Sequence, residues 1–151
     1  MTGLKLRAAD GEDLQVVSAM LQDAIVPLGE MTYLQPAGRF VMAVNRFRWD
    51  AKPVEVEPGD GPVYERVHCA VTVTGVTAVR SRGIDQGDRG QMLNLLSLEA
   101  DAEGLVLHFA GGGCLRLAAA EWLLIAEDFG EPWPTRLRPA HKLDEEGASP
   151  R

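Results

Sequence analysis

The sequence predicts an α+β domain: one N-terminal helix packed on a curled, mostly antiparallel sheet, a sandwich or partial barrel of about seven strands. Three observations carry this. A capped stretch near the start has apolar residues at helical spacing, much of the remainder alternates apolar and polar residues with period two, and short Gly- and Pro-bearing turns separate the alternating runs.

Asp10 is a good N-cap, and Asp13 follows it at capping-box distance. Leu14, Val17, Leu21, Ala24 and Ile25 then recur at three-and-four spacing, and Pro27 and Gly29 stop the run, so a helix is expected from about Gly11 to Ala24. A hairpin follows, with strands Met31 to Gln35 and Arg39 to Trp49 around Pro36-Ala37-Gly38. Phe40, Met42 and Val44 share one face of its second strand; further along, Arg46 and Arg48 point together, opposite Phe47 and Trp49.

Residues Asp50 to Pro62 hold three prolines, two glycines and four acids, the composition of a flexible loop. Val63 to Val73 alternates again, with Val67, Cys69, Val71 and Val73 on one face. Gly75 breaks the run and Val76 to Arg82 continues it. Met92 to Ala100 and Leu105 to Ala110 flank the turn Asp101 to Gly104, and Gly111-Gly112-Gly113 leads into Cys114 to Leu117. Ala118 to Gly130 is ambiguous: its Ala-rich start favours a helix, and its place after a meander favours a strand. From Glu131 the chain is Pro-rich and polar. Residues 1–141 read as one domain and 142–151 as a disordered tail.

The chain carries 15 basic and 22 acidic residues, a net charge of −7. That balance argues against nucleic acid and anionic membranes, whose attraction depends on Lys and Arg. No apolar run is long enough to span a bilayer, and no leader segment is evident. Two cysteines without metal-ligand spacing, Cys69 and Cys114, fit a reducing cytoplasm. His68, His108 and His141 stand far apart, so neither metal nor cofactor is expected. Gly111-Gly112-Gly113 lacks the Lys-Ser or Lys-Thr of a phosphate loop and fits a tight turn, and Asp85-Gln86-Gly87-Asp88 fits a solvated turn better than a calcium loop.

Arginine placement gives the best candidate site. Twelve of the basic residues are Arg, and two stretches hold three each with no acid: Met31 to Trp49 and Arg66 to Ile84. Arg forks suit carboxylates and phosphates. The expected function is a non-catalytic binding or regulatory module that takes a protein partner or an anionic ligand on Arg46, Arg48, Arg80 and Arg82. The alternative is a small enzyme for an anionic metabolite, with His141 as acid or base and Arg80 and Arg82 as a clamp. Against both stands the reading that these Arg form ordinary surface ion pairs.

Several segments together resemble one family: Glu12-Asp13-Leu14 with Gln22-Asp23-Ala24, Arg39-Phe40 running to Asn45-Arg46-Phe47-Arg48-Trp49, Arg80-Ser81-Arg82-Gly83-Ile84-Asp85, Phe109-Ala110-Gly111-Gly112-Gly113, and Arg138-Pro139-Ala140-His141. They resemble the bacterial domain-of-unknown-function family 2948 over residues 4 to 141. The resemblance implies a small stand-alone proteobacterial cytoplasmic protein and carries over no catalytic residues.

Overall fold

The computed structural model describes residues 3–53 and 61–139. Among the described residues ten strands and one α-helix follow in the order β1 (Lys5–Ala8), α1 (Gly11–Leu21), β2 (Ile25–Pro27), β3 (Met31–Leu34), β4 (Arg39–Phe47), β5 (Tyr64–Thr74), β6 (Ala78–Arg82), β7 (Met92–Asp101), β8 (Gly104–Phe109), β9 (Cys114–Ala118) and β10 (Leu123–Thr135). All pairings are antiparallel, in the spatial order β1-β10-β5-β4-β2-β7-β8-β9-β6, with β3 beside β4. The sheet is not closed: among the described residues no pairing joins β1 to β6.

The mostly antiparallel α+β architecture agrees with the sequence, and three details correct it. The helix is not the first element, because β1 precedes it and pairs with β10, and the strands number ten rather than about seven. The extra strands β1 and β2 are four and three residues long, too short to show a period. The helix also stops at Leu21 rather than Ala24. Asp23 adopts a left-handed φ of 64°, and its N–H donates to the Leu95 carbonyl at 2.7 Å, which turns the chain into β2. Ile25 then bridges Asn45 of β4 and Asn94 of β7, tying the two halves of the sheet together.

The ambiguous stretch from Ala118 resolves as a strand, and β10 runs on through the Pro-rich segment to Thr135, interrupted by a bulge between Phe129 and Trp133. Pairing on both sides, to β1 and β5, outweighs the helix propensity of a few alanines. The loop expected near 50–62 lies partly, and the tail entirely, outside the described residues.

One core gathers side chains from both halves of the sheet. Phe40, Met42 and Val44 of β4, Cys69, Val71 and Val73 of β5, Leu105, Leu107 and Phe109 of β8, and Leu115 and Leu117 of β9 are all buried in it. The helix is capped as its sequence demands: the Asp10 side chain accepts the Asp13 N–H at 2.8 Å. It buries Leu14, Val17 and Leu21, each contributing about 1.5–3 kcal/mol. It packs mainly on β7, where the Ser18 hydroxyl accepts the Leu98 N–H at 2.9 Å.

Candidate functional site

The four predicted arginines divide into two pairs with different surroundings. Arg46 and Arg48 belong to β4; Arg80 and Arg82 belong to β6, at the end of the sheet and separated from β4 by β2, β7, β8 and β9. The pairs do not converge on one ligand.

Arg46 is fully buried. It continues the Phe40-Met42-Val44 parity of its strand and therefore faces inward. From there its side chain reaches across β5 to Asp128 of β10. Nε donates to Oδ1 at 2.8 Å and Nη2 to Oδ2 at 2.7 Å, a two-bond fork. Nη1 donates to Asp50 at 3.1 Å, and the Leu4 N–H donates to Asp128 Oδ2 at 2.8 Å. Burial opposes the charge on both partners, yet their mutual contacts prevail: the Arg46 guanidinium is held above its ordinary range and the Asp128 carboxyl below its own. The same burial, with Asp128 nearby, pushes the Cys69 thiol up to about 12. Arg46 is thus a buried tie between β4, β10 and the chain before β1, with its donors already occupied. Arg48 is also engaged, donating to Glu65 at 2.7 Å.

This tie sets an acid limit. Because the folded Asp128 value lies below the unfolded carboxylate value of about 3.9, its stabilisation is present above that value and is lost as pH falls through the folded one. Unfolding free energy measured by urea titration should hold level from about pH 7 to 5 and fall below about pH 4. In Asp128→Asn the fall should be visibly shallower; an equally steep fall would assign the acid sensitivity to other groups.

Arg80 and Arg82 present the opposite picture. Both are exposed, and neither makes an ion pair or side-chain hydrogen bond among the described residues. Their strand pairs with β9, placing Arg80 directly opposite Arg116 and Arg82 opposite Cys114. β9 in turn pairs with β8, so Arg116 faces Val106 and Cys114 faces His108. Two rows result on the solvent side: Arg80, Arg116, Val106 and then Glu99 of β7, and Arg82, Cys114, His108. Period two puts these side chains on the face away from Leu105, Leu107, Leu115 and Leu117. A cavity of about 400 Å³ opens over them, with Val106 at its base.

The electrostatics of this face are uneven. Arg116 meets Asp101 at 2.9 Å, and His108 Nε2 lies 3.3 Å from Glu99. Like charges opposed across an antiparallel pair repel, so Arg80 against Arg116 is an arrangement that an anion would relieve. The Gly111-Gly112-Gly113 segment is the turn that sets this register. Gly111 and Gly112 have φ of 88° and 91°, and the Phe109 N–H donates to the Gly113 carbonyl at 2.8 Å. Asp85 to Asp88 form a turn closed by the Gly87 N–H on Asp85 Oδ1 at 3.0 Å.

His141 lies outside the described residues. The chain leading to it sits against β2 and the start of β7, with the Arg138 guanidinium 5.6 Å from the Trp49 ring centre. Sequence reasoning set aside His108 and Cys114 as a scattered histidine and an ordinary thiol, and did not single out Glu99 or Arg116. The glycine turn was the available signal: strands of equal length around Gly111 pair His108 with Cys114. Among the described residues no group of three or more His, Cys, Asp and Glu could hold a metal, and no helix is long and apolar enough to cross a membrane.

No curated protein and no solved structure matches the chain. Residues 4–141 match the family described as a protein of unknown function, DUF2948, and with nearly its whole length covered the chain belongs to that family.

Proposed function

We propose that this protein is a non-catalytic cytoplasmic binding module that takes a small anionic ligand on the solvent face of β6 and β9, with Arg80 and Arg82 as its principal contacts. The observation that carries the reading is the contrast among the arginines. Arg46 and Arg48 are committed to Asp128 and Glu65, whereas Arg80 and Arg82 stand exposed and, among the described residues, without side-chain partners, beside a third guanidinium and over an open cavity. A carboxylate or phosphate there would exchange Arg80–Arg116 repulsion for charge-assisted hydrogen bonds. Two free thiols suit a reducing compartment. The net charge of −7 disfavours nucleic acid and anionic membrane as the bound species.

A thermal-shift titration with citrate and with inorganic phosphate tests this. At about 100 times its dissociation constant a ligand adds about 2.7 kcal/mol, which raises the melting temperature of a domain this size by several degrees. The rise should vanish in Arg80→Ala/Arg82→Ala and persist in Arg48→Ala. An equal rise in the double variant would remove the site from β6.

A further inference from the structure

The strand β6 ends the sheet: among the described residues it pairs with β9 alone, and its other edge has no strand beside it. Such an edge is a template for one more strand. The two faces of this edge differ. Val79 and Ser81 share the parity of their cross-strand partners Leu117 and Leu115 and point inward, where a cavity of about 260 Å³ adjoins the strand. Its apolar wall comes from Tyr33 and Phe40 on one side and Val79 and Leu115 on the other, so β3 and β6 flank the cavity without pairing to each other. On the outer face stand Arg80 and Arg82, exposed and without a side-chain partner among the described residues. Arg89, which also lines the cavity and makes no ion pair among the described residues, adds a further cation.

We propose that β6 takes an extended acidic peptide as an added strand, with carboxylates on alternate residues facing Arg80 and Arg82 and the apolar side chain between them turned into the cavity. This rests on the anion site proposed above and extends it from a free anion to carboxylates carried on a chain. The pattern follows from the period of two. A strand laid along β6 sends successive side chains to opposite faces, so the residues that meet Arg80 and Arg82 are separated by one that faces inward. Directly opposed Cβ atoms lie about 4.5–5.5 Å apart, within reach of a guanidinium–carboxylate pair. Main-chain hydrogen bonds hold such a peptide, and the alternating pocket and charges select it. A second copy of this chain is the wrong partner, because two β6 edges laid antiparallel oppose arginine to arginine. The charges that guard the edge against its own kind therefore favour an acidic strand.

The measurement is fluorescence anisotropy of the labelled, end-blocked peptide Glu-Val-Glu-Val-Glu with the intact protein. This peptide should bind, and Glu-Glu-Val-Val-Glu, of the same composition and charge, should bind about tenfold more weakly or worse, having lost the alternation. Arg80→Ala/Arg82→Ala should weaken the alternating peptide by about tenfold or more, the loss of charged hydrogen bonds. Two further peptides separate strand pairing from charge alone: in one the valine backbone amides are N-methylated, in the other the glutamate amides. An added strand turns only alternate amides toward its neighbour, so one methylated peptide should lose binding and the other keep it within about threefold. Equal affinities of the two methylated peptides, or of the alternating and block sequences, would overturn the proposal. Citrate stabilisation separates the two readings. If it is present while these peptide differences are absent, the added strand fails and the anion site stands; if neither citrate nor any peptide binds, the anion site falls as well.

Discussion

Asp128→Leu is expected to lower the unfolding free energy by about 3–5 kcal/mol. The reason is desolvation. Arg46 is fully buried and Asp128 nearly so, at 0% and 5% side-chain exposure, and removing one member leaves the other charged and poorly solvated in the interior. Asp50 remains on Nη1, but it is partly solvated and cannot replace a two-bond fork. Arg46→Met should cost a similar amount, because Asp128 would then keep the Leu4 N–H and the Cys69 thiol but no cation beside it. The pair changed together, Arg46→Met/Asp128→Leu, should recover most of the loss, since apolar side chains of similar volume need no partners. Urea denaturation of the two single variants and the double variant measures this directly. Additive losses in the double variant would show that the two side chains are not energetically coupled.

Gly75→Ala should be comparably damaging, by about 3 kcal/mol or more, through strain rather than charge. Gly75 joins β5 to β6 with a φ of 84°, a conformation that disfavours any Cβ, and a Cβ there would run into the carbonyl of Glu121. That carbonyl is backbone, fixed where the chain approaches β10, so the clash can be relieved only by moving β6. Gly111 provides the control. Its φ of 88° is similar, yet nothing lies within 4 Å of the added atom, so Gly111→Ala should cost only the conformational term of about 1–2 kcal/mol. Thermal unfolding of the two variants side by side separates steric from torsional cost; equal melting temperatures would mean that the Glu121 contact relaxes freely. Because β6 carries Arg80 and Arg82, Gly75→Ala should also weaken citrate binding where Gly111→Ala does so less.

The parts of this protein that its sequence determined by itself are those in which the interacting groups are close along the chain. The Asp10 cap, the β3–β4 hairpin with Gly38 at its left-handed corner, and the strands around Gly111 depend on neighbours within a few residues, so their residue types suffice. Parity also contained the inward placement of Arg46, two residues beyond Val44 on the face of Phe40 and Met42, although a guanidinium there reads as a surface group until its partner is known. That partner is 82 residues away, and no local pattern names Asp128. The strands β1 and β2 are too short for a period, and β10 is a strand because β1 and β5 pair with it on either side. The candidate site divides in the same way. Alternation put Arg80 and Arg82 on one face, but only the pairing of β6 with β9, whose closest members lie more than thirty residues apart, sets them beside Arg116 and Cys114. Tertiary structure decided this because backbone hydrogen bonding between distant strands is indifferent to side-chain identity: the burial of the shared core chooses the partner and the register, and the charges on the outer face follow from that choice.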